Sequence, residues 1–166
     1  MKKIAFILTL FLLLTLPSCA AREMPACRDI LGEIMQSEIG LPAGKVYSMS
    51  APDGYEECLP DKLIIRLFGE GTTPDVASGW LDLALFLSTS AHPCEFAVIL
   101  CDSEDPATDT ARLLCRRLDA IRTAKSEGEY AKLTENATVT VIGNYALLII
   151  SSDTQNAVRT AAKIIR

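Results

Sequence analysis

Residues 94–101, CEFAVILC, are apolar at every position but one. A half-buried strand alternates apolar and polar residues, whereas a run apolar on both faces belongs inside a sheet. The chain is therefore built around a sheet with this segment as a central strand. Residues 80–88 precede it and alternate, with Leu81, Leu83, Leu85 and Leu87 on one face. The link Thr89-Ser90-Ala91-His92-Pro93 suits a hairpin connection between the two. Segments 137–142 and 145–151 read as strands joined by Gly143-Asn144, a two-residue hairpin signal. Residues 45–51 form a weaker strand.

Helical periods fill the intervals. In residues 25–39, Cys27, Ile30, Leu31, Ile34 and Met35 follow the 3.6 spacing, Pro25 suits the first turn and Gly40 ends it. Residues 61–68 form a short helix closed by Gly69-Glu70-Gly71. Asp105 caps the clearest helix, with Pro106 at its first position and a stripe of Ala111, Leu114, Cys115, Leu118 and Ile121. Residues 126–136 are polar and loop-like, with room for one helical turn. Ser152 and Gln155 make a capping box for a last helix that turns Ala157, Val158, Ala161 and Ile165 inward.

The order is helix, strand, helix, strand, strand, helix, strand, strand, helix. It predicts an α+β fold of two layers, a mostly antiparallel sheet packed with helices. Elements two to seven trace β-α-β-β-α-β, so the core is expected to be ferredoxin-like, with an extra N-terminal helix and a C-terminal strand and helix.

Ahead of this lies a different kind of segment. Met1-Lys2-Lys3 is basic, Ile4 to Leu16 is a 13-residue apolar run broken only by two threonines, and small residues follow. That is the plan of an export signal, too short for a permanent membrane span. Leu16-Pro17-Ser18-Cys19 resembles a bacterial lipobox, in which the cysteine receives a diacylglycerol and becomes the first residue. The expected division is an export signal over 1–18, a short tether over 19–24 and one α+β domain over 25–166. The competing route is ordinary cleavage after Ala20 or Ala21, which frees a soluble secreted protein.

The net charge is −5, and removing Lys2 and Lys3 with the leader makes it −7. A nucleic-acid binder needs a basic footprint, so that class is excluded. Of six cysteines, either processing route takes Cys19 out of play as a free thiol, which leaves Cys27, Cys58, Cys94, Cys101 and Cys115. Cys94 and Cys101 are about 23 Å apart on one extended strand and cannot bridge each other. The five read as buried thiols acting as small hydrophobes, with Cys27 and Cys115 on apolar helix faces, as one bridge such as Cys27–Cys58 among free thiols, or as including a redox-active or catalytic thiol. No metal-ligand spacing, phosphate loop or nucleophile elbow occurs, so neither metal nor cofactor is expected.

Leu67-Phe68-Gly69-Glu70-Gly71, Asp82 to Ser88, His92-Pro93-Cys94-Glu95-Phe96-Ala97-Val98 and Leu113 to Asp119 resemble a bacterial family. It is a domain-of-unknown-function family of small exported proteins and predicted lipoproteins, mainly of anaerobic Gram-positive bacteria. The resemblance implies an exported envelope protein. It brings no activity and no assigned residues.

Candidate chemistry is sparse. His92 is the only histidine and stands three residues before Glu95. The two read either as an acid/base or anchor pair at a hairpin rim, or as a loop histidine packed on Pro93 beside a solvated carboxylate. Arg112, Arg116, Arg117, Arg122 and Lys125 make one helix basic. Arg112 and Arg116 are the candidate anion ligands there, against a solvated face with pairs Asp109–Arg112, Arg116–Asp119 and Asp119–Arg122. Asp53, Glu56, Glu57 and Asp61 lack the spacing of a calcium loop and read as a solvated cluster. The expected function is a non-enzymatic envelope module, tethered through a lipid on Cys19 and binding an envelope protein or wall component. The alternatives are a hydrolase acting on a wall or peptide substrate, with His92, Glu95 and one thiol in a cleft, and a freely secreted factor.

Overall fold

A computed structural model describes residues 24–166 apart from positions 53, 90, 126, 127 and 129. The expected export signal over 1–18, Cys19 and Asp53 lie outside the described residues. The elements are α1 (Cys27–Ser37), β1 (Gly44–Ser48), α2 (Asp61–Phe68), a 3-10 turn (Asp75–Gly79), β2 (Trp80–Ser88), β3 (Glu95–Cys101), α3 (Glu104–Ala124), α4 (Ala131–Glu135), β4 (Thr138–Ile142), β5 (Tyr145–Ile150) and α5 (Thr154–Ile165). The α+β class expected from the sequence is what the chain adopts.

Every residue of β3 and of β5 is buried. Each strand has a neighbour on both sides, in the order β1-β2-β3-β5-β4, and every pairing is antiparallel. Helices cover both faces. On one, Leu83, Leu85, Ile99 and Leu148 meet Leu63 and Phe68 of α2 and Leu114 and Leu118 of α3. On the other, Phe86, Phe96, Leu147 and Ile149 meet Ile30, Leu31 and Ile34 of α1 and Ala157 and Ala161 of α5. The expected two layers are thus three. The reason is energetic: an uncovered second face would leave those large side chains in water, at about 1.5–3 kcal/mol each.

The ferredoxin-like order is also corrected. In that order the first strand sits inside the sheet, but β1 lies at the edge and pairs only with β2. The segment around α2 brings the chain back to the end where β1 stops, so β2 enters antiparallel. The loop after β1 folds onto that end, with Ser48 donating to Glu57 O and Leu59 donating to Ser48 O. β3 and β4 run the same way with β5 between them. The Gly143-Asn144 turn, with Gly143 at φ 55°, sends β5 back into the gap.

Smaller differences have local causes. A bulge between Trp80 and Asp82 pushes Leu81 out to 55 % exposure and lets Trp80 join Leu83 and Leu85 on one face. Trp80 donates its indole N–H to Thr110 Oγ1 at 2.9 Å. α3 begins one residue before Asp105, after an N-cap at Ser103. The cap of α5 is Asp153, which accepts from the Asn156 N–H, and not Ser152. The N-terminus of α1 is held from a distance. Asp82 Oδ2 accepts the Cys27 N–H at 2.8 Å, and Tyr145 donates to Pro25 O at 2.7 Å. No described helix is long and apolar enough to cross a membrane.

Candidate functional site

A groove of about 540 Å³ opens where the β2–β3 link meets the second half of α3 and the end of α2. Its apolar lining includes Leu67, Leu87, Ala120 and Ile121, and its polar lining Arg66, His92, Glu95, Arg117 and Lys125. The register of β3 places Glu95 on the same face as Ala97, Ile99 and Cys101, underneath α3.

Glu95 is 5 % exposed, so the expectation of a solvated carboxylate is overturned. Arg117 engages both its oxygens, Nε to Oε1 at 3.2 Å and Nη2 to Oε2 at 2.8 Å. A carboxylate at that depth is tolerated because a planar guanidinium satisfies it at two points. His92 Nδ1 accepts the Cys94 N–H at 3.1 Å, which leaves Nε2 to carry the proton of a neutral ring. The His92 ring meets Tyr130 edge-on at 4.8 Å, and Lys125 Nζ stands 5.9 Å from the Tyr130 ring centre.

The expected grouping is therefore half realised. His92, Glu95 and Cys94 do line one groove. Arg112 and Arg116 do not reach it. They line a separate depression with Phe68, Glu70 and Asp75, and Arg112 pairs with Asp109. The arginine that matters at the groove is Arg117. Its signal is its place four residues after the buried Leu113 and four before Ile121, on the flank of the apolar stripe. Arg122 serves structure, donating to the carbonyls of Thr134, Glu135 and Ala137 around the end of α4, beside its pairing with Asp119. Arg116–Asp119 is not among the ion pairs of the described residues. Of the acidic loop, Glu57 pairs with Arg28 while Glu56 and Asp61 are exposed.

Cys27, Cys94, Cys101 and Cys115 are free thiols, so the Cys27–Cys58 bridge is not formed. Cys115 is exposed and does not belong to the stripe of α3, which runs instead through Leu113, Leu114 and Leu118. Burial, with smaller contributions from the charges of Glu38 and Glu95, pushes the Cys94 thiol up to about 12. Such a thiol stays protonated at neutral pH and is a poor nucleophile. Among the described residues no three histidine, cysteine or acidic side chains group as metal ligands. Compared with known protein families, curated proteins and solved structures, the chain matches none.

Proposed function

We propose that the chain is an exported envelope protein, tethered through a lipid on Cys19, whose domain is a non-enzymatic binding module. The groove beside His92 holds an anionic group of an envelope protein or wall component. The observation that carries this reading is a concentration of Arg66, Arg117 and Lys125 at one apolar-floored groove in a protein of net charge −5. Among the described residues of the lining Glu95 is the one acid, and Arg117 already occupies it. The hydrolase reading has less support. It needs a base and a nucleophile, but both Glu95 oxygens are engaged and the Cys94 thiol is held protonated.

The test is co-sedimentation of the protein with purified cell walls across a range of salt. Arg66→Ser with Lys125→Ser should remove most binding, whereas Arg112→Ser with Arg116→Ser should leave it intact. Equal loss from both pairs would mean only diffuse attraction. Intact mass of the protein from its own cells decides the tether. A diacylglycerol-sized addition on a chain starting at Cys19 supports it, and a start at Ala21 or Arg22 removes it.

A further inference from the structure

The two edges of the sheet differ. The outer side of β1 is guarded: Ser48 donates to Glu57 O and accepts from the Leu59 N–H there, and Lys45 puts an exposed charge on the strand. Cover and charge of this kind keep an edge from pairing with another chain. β4, at the opposite edge, has neither. Its residues Thr138-Val139-Thr140-Val141-Ile142 include no charge and no proline, and Val141 is 38 % exposed. Among the described residues no strand pairs with its outer side. The hairpin register fixes what that side offers. Ile142 and Tyr145 close the two-residue turn as a hydrogen-bonded pair, so by alternation Thr140–Leu147 and Thr138–Ile149 are hydrogen-bonded too. The N–H and C=O groups of Val139 and Val141 therefore point away from β5. Among the described residues their one side-chain contact is a long one, Thr138 Oγ1 to Val139 O at 3.5 Å.

This edge complements itself. Antiparallel pairing with a second copy about Thr140 sets Val139 opposite Val141, Thr140 opposite Thr140, and Thr138 opposite Ile142. Each Val139–Val141 pair then exchanges two hydrogen bonds through its outward groups. The flank fits the same register. Thr138 borders an open depression of about 700 Å³ beside the first turns of α5, with Asp153 on its wall. α5 runs back over β5 and β4, so its last turn, with Lys163 and Arg166, lies toward the Ile142 end. A two-fold axis at Thr140 brings that basic end of the second copy to Asp153 and the depression, opposite charge to opposite charge. We propose that β4 pairs with β4 of a second copy, joining two five-stranded sheets about this axis. Because β1 is guarded, the assembly closes at two copies. The pairing involves no residue of the groove and does not depend on the tether.

The test is oxidative crosslinking in cells that make the protein, read on a non-reducing gel. Cys115 is exposed, so the background is Cys115→Ser. Thr140→Cys faces its own copy across the axis, where opposed Cα atoms are about 4.5 Å apart, within disulfide range. Most of the chain should move to twice its mass. Thr138→Cys stands more than about 13 Å from its copy and should stay single. Purified full-length protein in neutral detergent should sediment as a dimer, and Val141→Pro as a monomer, because proline removes an outward donor while sparing the β4–β5 ladder. If Val141→Pro does not fold, Val141→Lys puts a charge on the edge and serves instead. A monomeric wild-type protein would overturn the proposal. So would equal crosslinking of Thr138→Cys and Thr140→Cys, or a dimer that both Val141 variants leave intact. Assembly beyond two copies would show that β1 pairs as well and would overturn the closed two-fold.

Discussion

Arg117, in the second half of α3, closes a two-point ion pair on Glu95 at the start of β3, with the carboxylate almost fully buried and the guanidinium side chain 25 % exposed. This contact ties α3, the longest of the described helices, to the central strand at the end of the sheet where the groove opens. It also fixes which oxygens and which cation the groove can use.

Breaking that pair from one side should be costly, because the abandoned partner stays buried. Arg117→Ala is expected to lower stability by about 3 kcal/mol, the lower end for a buried pair because the arginine is partly solvated. Replacing both, Glu95→Leu with Arg117→Met, should recover to within about 1 kcal/mol of the wild-type protein. Urea unfolding of the single and double variants checks this. A double variant as unstable as Arg117→Ala would show that arginine packing, and not the charge pair, holds α3 down.

The start of α5 offers a second check. Asp153 caps the helix by accepting the Asn156 N–H at 3.1 Å. Asp153→Ala should therefore cost about 1 kcal/mol, and Ser152→Ala clearly less. The reverse ranking in thermal or urea melts would restore the capping box that the Ser152–Gln155 spacing suggests.

Much of this architecture is legible in the residues, and the failures are instructive. The bounds 61–68 and 80–88 match α2 and β2 because a 3.6 period and a period of two are each strong there. What periodicity hides is a strand whose two faces are both apolar. Leu83 and Leu85 point to one core, Ala84 and Phe86 to the other, so alternation cannot announce the second helical layer. The bulge at Leu81 is a backbone event with no composition signal of its own. At the groove, His92 and Glu95 stand out by residue type. Choosing Arg117 over Arg112 and Arg116 requires the rotation of α3 about its axis, which the flanking Leu113 and Ile121 encode only once the buried stripe is known. Glu38 could not be found at all, since its surroundings are assembled from three distant stretches of chain.

The thiols make a third prediction. Cys27, Cys94 and Cys101 are buried and Cys115 is exposed. Burial raises the pKa of all three buried thiols, with Cys94 reaching about 12. Iodoacetamide under native conditions should label Cys115 well before any of the three, which should react only as the protein unfolds. Peptide mapping by mass spectrometry gives the order directly. Early labelling of Cys94 would reopen its claim to be a working nucleophile.

Glu38 gives a pH dependence whose sign is fixed. Burial raises its carboxyl above the ordinary 4.5, so the folded state holds the proton more tightly than the unfolded chain. Well below that value both states are protonated and the group is neutral to stability. As pH climbs through the ordinary value toward the raised one, the unfolded chain ionises first and the folded state loses ground; above the raised value the loss is complete. Stability of the wild-type protein relative to Glu38→Gln should therefore fall across this window and then level off. Urea midpoints of the two proteins from about pH 3.5 to 8 measure the difference, in which groups unaffected by the substitution cancel. A flat or rising difference would place Glu38 in water.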